Sequence, residues 1–182
     1  TFMNAVRRWL KHPLPAVIFL LIYIVSQTLI ARTLQAGNAE ALLFQFQFSY
    51  SAADFNALLN SISAAQLNAL QQHFTYDHIH PVWYGLLALS LTSWLMNLNE
   101  LSPRWSWLLL PAILMAALDV VENSIHEPWL QLQSQASDPL TLIAGVAATS
   151  KWSLAAIYLA GALLLTARYF FVVRRHKGQR LR

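Results

Sequence analysis

Asp119, Glu122, Asn123 and His126 stand at i, i+3, i+4 and i+7 in the chain. On a helix advancing about 100° per residue they occupy one arc about 100° wide. Two carboxylates, an amide and an imidazole on one face are suited to proton transfer. Adjacent acids push each other's pKa values apart, which leaves one as acid and one as base. A second polar run, His73-Phe-Thr-Tyr-Asp77-His78-Ile-His80-Pro81, supplies another acid and three imidazoles. His73, Asp77, His80 and Tyr84 share a face if one helix runs through the segment. Pro81 opposes that continuity, so His80 can instead stand just ahead of a helix start. Lys151 is the lone cation expected among these acids. The candidate catalytic set is Asp77, His80, Asp119, Glu122, Asn123 and Lys151. In it Asp77 or Glu122 would be the general base and Asp119 would orient a histidine. Lys151 would neutralise a phosphate or a developing oxyanion.

Two other readings use the same residues. Buried charges are normally paired, so Lys151, the carboxylates and Asn123 can form a network that fastens helix ends. Alternatively, nitrogen and oxygen ligands from His78, His80, His126 and Glu122, with Asp77 and Asp119 nearby, would suit zinc, manganese or iron. Against a metal, the chain has no HExxH, and Glu122-Asn-Ser-Ile-His126 is only a weak spacing signal. Lys151 would also repel a cation. The sequence leaves the cofactor open between none and, as the minority reading, a divalent metal. No GxSxG elbow, P-loop or dinucleotide fingerprint occurs. The absence of cysteine excludes disulfides, thiolate metal sites and thiol redox chemistry.

The elements carrying these residues are apolar. The 182 residues are 57% hydrophobic and 11% charged, with a mean hydropathy of +0.43. A soluble domain would carry about 25% charge, so much of this surface is expected to face lipid. The length fits one domain over 1–182. A bilayer core about 30 Å thick takes about 20 apolar residues as a helix. Four stretches meet or approach that length, at about 14–34, 81–98, 105–123 and 150–173. The last of these begins its helix near Pro139, beyond the bilayer. Pro13 and Pro15 suit a helix start, and Pro111 is an expected kink. Asp138-Pro139 reads as an N-cap followed by a first-turn proline.

Ten of the twelve Lys and Arg residues fall at one set of helix ends, the last five in a basic tail over 174–182. Only Arg32 and Lys151 lie on the other side, together with seven of the eight acids. The positive-inside rule then puts both termini in the cytoplasm, in an integral protein of a bacterial cytoplasmic (inner) membrane. Beside a membrane span, the basic tail reads as a topology signal touching anionic lipid, and no nucleic-acid partner is expected. Met3 is the expected start of the native chain. At about 1.5 Å per residue, Asp119 lies about 22 Å beyond Arg104 and Lys151 about 25 Å beyond Arg168, so both reach the outer boundary. Lys151 is expected to pair there with Asp119 or Glu122.

Residues 35–78 are too long for a plain loop. Ser51-Ala-Ala-Asp54 and Ser63-Ala-Ala-Gln66 resemble capping boxes, and Phe55, Leu58, Leu59, Ile62, Leu67, Leu70 and Phe74 follow at helical spacing. The fold expectation is all-α: a four-helix transmembrane bundle, N-in and C-in, with two short amphipathic helices capping the outer face between the first two spans. Two functions fit an outward-facing polar cavity under such a cap. One is an enzyme acting on a lipid or lipid-linked substrate at the outer leaflet. The other is a non-catalytic subunit or assembly partner of a membrane complex. Lipid is a partner in both, and a second membrane protein in the latter.

Overall fold

Prolines and hydroxyl caps punctuate the chain into helices. The computed structural model describes residues 2–173, and the expected basic tail over 174–182 lies outside the described residues. Helix α1 (Phe2–Leu10) is short and amphipathic. Helix α2 (Pro13–Ala36) starts on Pro13 behind an extended His12. It ends at Gly37, where a Cβ would lie only 2.5 Å from the Ala69 Cβ. The bare glycine therefore lets the end of α2 dock on the cap. Asn38 then adopts a left-handed φ of 53° and turns the chain.

The cap holds three helices, one more than expected: α3 (Glu40–Gln47), α4 (Ala52–Ser61) and α5 (Ala64–Asp77). Both expected caps form. The Ser51 Oγ accepts from the Asp54 amide at 3.1 Å. Ser63 and Gln66 close a reciprocal capping box, with bonds of 3.3 Å and 2.9 Å. Helix α3 starts behind Ala39 with no side-chain cap, so it carries no start signal. Its Phe46 joins Phe55, Leu70, Phe74, Trp129 and Leu130 in the main apolar core. That core lies in the cap and the adjoining helix ends.

Below the cap run α6 (His80–Leu98), a 3₁₀ segment (Pro103–Leu109), α7 (Leu110–Leu132) and α8 (Asp138–Arg168), which closes in a π-turn at Tyr169–Val173. Pro111 lies in the first turn of α7 rather than at a kink within it, because a 3₁₀ segment precedes it and α7 starts only at Leu110. Helix α7 also runs on to Leu132, well beyond the expected end at 123. Among the described residues, three helical stretches are long and apolar enough to cross a membrane: Pro13–Ala36, Pro103–Leu132 and Asp138–Val172. Helix α6 occupies the expected second span but is not among them. Its His80, Pro81, Asn97 and hydroxyl residues lower its apolar content, and Ser90, Thr92 and Ser93 are buried against its neighbours. It packs on α1, α2, α7 and α8, so its hydroxyls meet protein. By contrast, Leu21, Val25, Ile157, Leu163 and Leu164 on α2 and α8 are each at least 60% exposed, an apolar surface unsuited to water.

The two ends of the molecule differ in chemistry. At one end Arg7 donates to the Ser102 carbonyl at 2.9 Å. Arg168 donates there to the backbone and side-chain oxygens of Asn99, each at 2.9 Å. At the other end the cap is tied to α8. The Trp152 Nε1–H donates to Gln47 Oε1 at 3.2 Å, and the Tyr50 and Thr149 hydroxyls share a hydrogen bond. Asp138 does not cap its own helix, because Ser137 takes the N-cap position without a side-chain bond. Its Oδ1 instead accepts from the Ala52 amide at 2.7 Å, so the first residue of α8 caps α4.

Asp138→Ala should therefore unfold the cap more readily, lowering stability by about 1 kcal/mol. Asp138→Asn keeps an acceptor and should lose much less. Thermal melting in detergent distinguishes them, and equal melting temperatures for wild type and Asp138→Ala would refute this cross-cap.

Candidate functional site

Lys151 projects from α8 into the stripe on α7. Its Nζ lies 2.6 Å from Asp119 Oδ1 and 2.6 Å from Glu122 Oε2. All three residues are buried. The i, i+3 spacing on α7 presents both carboxylates to one side, and the ammonium closes on both instead of choosing one. The second oxygen of Asp119 is also used. The Tyr84 hydroxyl donates to Oδ2 at 2.9 Å from one turn inside α6. Asp119 is thus held by a phenol and an amine rather than by a histidine, which corrects the role expected for it.

Asp77 ends α5 and faces the same region. The Asn123 Nδ2–H donates to its Oδ2 at 2.9 Å. His73, one turn back, brings Nε2 within 3.8 Å of that oxygen. The His73 Nδ1 bonds to the Leu70 carbonyl. A carbonyl only accepts, so Nδ1 carries the proton and Nε2 is bare. Burial holds the His73 ring neutral, with its pKa pushed down to about 4 against the pull of the Leu70 carbonyl. Burial also pushes the Asp77 carboxyl up to about 6, and the charge of Asp119 adds to the shift. His80, Lys151 and the Asn123 bond act in the opposite sense. A carboxyl titrating near neutrality can take and return a proton under working conditions.

His80 opens α6, one turn ahead of Tyr84. Its Nδ1 lies 3.0 Å from Ser26 Oγ on α2, and its ring stacks on Tyr23 at 5.4 Å. Helix α6 begins at His80 with Pro81 in its first turn, so the break foreseen at Pro81 falls between Asp77 and His80. His80 and Tyr84 still share one face across that break from Asp77.

Asp77, His80, Tyr84, Asp119 and Lys151 form the polar end of a cavity of about 520 Å³. Tyr23 and Gln27 of α2 and Glu40 and Phe44 of α3 line its rim, while Leu87, Leu91, Met115, Ala155 and Tyr158 line its apolar depth. Helices α2 and α8 stand on either side of α6 with little direct packing between them. Four of the six candidate residues therefore line the cavity. Glu122 and Asn123 sit behind it: Glu122 holds Lys151, and Asn123 holds Asp77. The residues that sequence reasoning passed over are Ser26, Gln27 and Tyr23. Ser26 and Gln27 interrupt the apolar run of α2 about midway along the helix, a signal for a functional face.

The metal candidates do not converge. His78 pairs with Glu127 at 2.8 Å on the exposed side. His126 packs on Phe55 at 5.3 Å within the cap core, and Glu122 is taken up by Lys151. Among the described residues no three His, Asp or Glu side chains come together as a ligand set. No family model, curated protein or solved structure matches the chain.

Lys151→Met should leave two buried carboxylates facing each other and cost about 3 kcal/mol. Adding Asp119→Asn and Glu122→Gln to it should recover much of that loss. A Lys151→Met protein that melts like wild type would mean that the triad is solvated. Asp77 makes a separate, pH-resolved prediction. Its folded pKa is raised, so between pH 4 and 6 the folded state holds a proton that the unfolded chain has released. Its burden on stability is absent at low pH and complete above about pH 6. The stability gain of Asp77→Asn over wild type should grow through that window to about 3 kcal/mol and then level off. A gain independent of pH would show that Asp77 is not desolvated.

Proposed function

We propose that the chain is a four-span integral membrane protein with both termini cytoplasmic, in which α2, α6, α7 and α8 cross the bilayer and the cap lies outside. Three sufficiently apolar helices and the ten-to-two division of basic residues support this orientation. Helix α6 is not among those three; it packs on α1, α2, α7 and α8 and buries Ser90, Thr92 and Ser93, so its polar groups meet protein. In this frame the protein is an enzyme that performs acid–base chemistry on a lipid or lipid-linked substrate at the outer leaflet. The observation that carries this reading is the amphipathic cavity, with proton-transfer groups at one end and an apolar trough leading from them.

Asp77 is the general base of this reading. Its carboxyl faces the cavity and titrates near neutrality, whereas Glu122 is enclosed behind Lys151. The Lys151 and Tyr84 donors hold Asp119 and set the field at the reacting centre. The apolar trough takes the acyl or isoprenoid part of the substrate, and that binding orients the head group against Asp77.

Reporter fusions at Gly37 and Arg182 test the orientation, with the expectation that Gly37 reads outside and Arg182 inside. The chemistry is tested on purified protein in nanodiscs of total membrane lipid, followed by mass spectrometry of the lipids. Wild type should convert a head group, and Asp77→Asn should lose at least about a hundredfold of the rate while remaining folded. A wild type that leaves every lipid unchanged would overturn the enzyme reading and favour the non-catalytic subunit.

A further inference from the structure

The charge of the cavity selects its ligand. Three carboxylates line it, those of Glu40, Asp77 and Asp119, against the single ammonium of Lys151. That ammonium is already engaged by Asp119 and by Glu122, each at 2.6 Å. An anionic head group would find its only cation doubly neutralised and would meet uncompensated acids. The phosphate-binding role expected for Lys151 therefore has no support in this geometry. The Asp77 Oδ2 is taken by Asn123, and its Oδ1 has no hydrogen bond among the described residues.

The lining adds a second, independent feature. Tyr23, Phe44, Tyr84, Trp152 and Tyr158 all border the cavity. Aromatic faces carry a negative quadrupole and attract ammonium groups, most strongly where water is excluded. Carboxylates with aromatic walls are a recognition chemistry for cations, and the apolar trough below them suits a hydrocarbon chain. Helices α2 and α8 both line that trough and pack little on each other.

We infer that this cavity binds an amphiphile whose head group is an ammonium or quaternary ammonium, seated between Asp77 and the aromatic rim with its chain in the trough toward Leu91 and Ala155. This assignment rests on the lipid-substrate reading and narrows it to one class of head group. The cation contributes attraction to Asp77 and Glu40, and the chain contributes apolar burial.

Purified protein in maltoside micelles tests this when doped at equal low mole fractions with dodecyltrimethylammonium, dodecyl phosphate or dodecyl glucoside. Thermal melting and Trp fluorescence serve as readouts. The cationic probe should raise the melting temperature and change the emission, and the anionic and neutral probes should do neither. Asp77→Asn should weaken the cationic response about tenfold, as expected for loss of one partly desolvated ion contact. Ala155→Phe, which fills the trough, should weaken it with the charges intact. If Ala155→Phe fails to fold, shortening the probe from dodecyl to butyl makes the same measurement. An equal or stronger response to dodecyl phosphate overturns the cationic assignment but leaves the lipid-substrate reading standing. A cationic response that survives Asp77→Asn at full strength also overturns it. No response to any of the three probes removes both.

Discussion

A buried ammonium needs closed charge compensation, and Lys151 obtains it only from Asp119 and Glu122 together. An isolated ion in a medium of low dielectric is costly enough that the surrounding helices must deliver its partners within bonding distance. That demand fixes the relative rotation and height of α7 and α8, the most extensively packed pair of helices in the molecule. Tyr84 then ties α6 to Asp119, and Asn123 ties the last residue of α5 to α7. One electrostatic closure thus aligns four helices, and the cavity is the space left beside it. The same closure makes the site acidic, because it consumes the lone cation.

Features that depend on neighbouring residues were readable from the sequence. The α7 stripe, the hydroxyl caps of α4 and α5 and the long apolar helices all follow from local periodicity. Lys151 was placed by depth alone, since rise per residue is the same in every helix. What could not be read depended on tertiary contact. Helix α3 has no capping side chain, so only its docking through Phe46 defines it. Asp138 looked like the cap of α8 because it stands beside Pro139, yet its acceptor serves the amide of Ala52, far away in sequence. Pro111 looked like a kink because the 3₁₀ segment before it was not visible in the pattern. The candidate set was legible as a group of polar residues at one level. Which of them line the cavity was not, since a helical arc does not say which side chain stands in front.

The division of labour within the core has a physical basis. Large aromatic and aliphatic residues fill the cap, which in the proposed orientation stands in water that makes their burial favourable. The core among the long helices is much smaller and centres on Ala88, Ala112 and Met115. Helices in apolar surroundings gain little by hiding large side chains from a solvent of the same character. They gain more from close approach of small ones. Gly85, whose Cβ would stand 3.2 Å from that of Ala116, belongs to the same pattern.

The sparse packing between α2 and α8 bears on how a ligand would arrive. The cap above is fastened to α8 through Gln47, Tyr50 and Asp138, which leaves the flank as the freer approach. In the proposed orientation that flank faces hydrocarbon, so encounter is a search in two dimensions. Occupancy then follows the mole fraction of the ligand in its leaflet, and diluting the surrounding water at constant leaflet composition leaves it unchanged. Saturation becomes a property of membrane composition, and neighbouring lipids compete for the opening simply by being present.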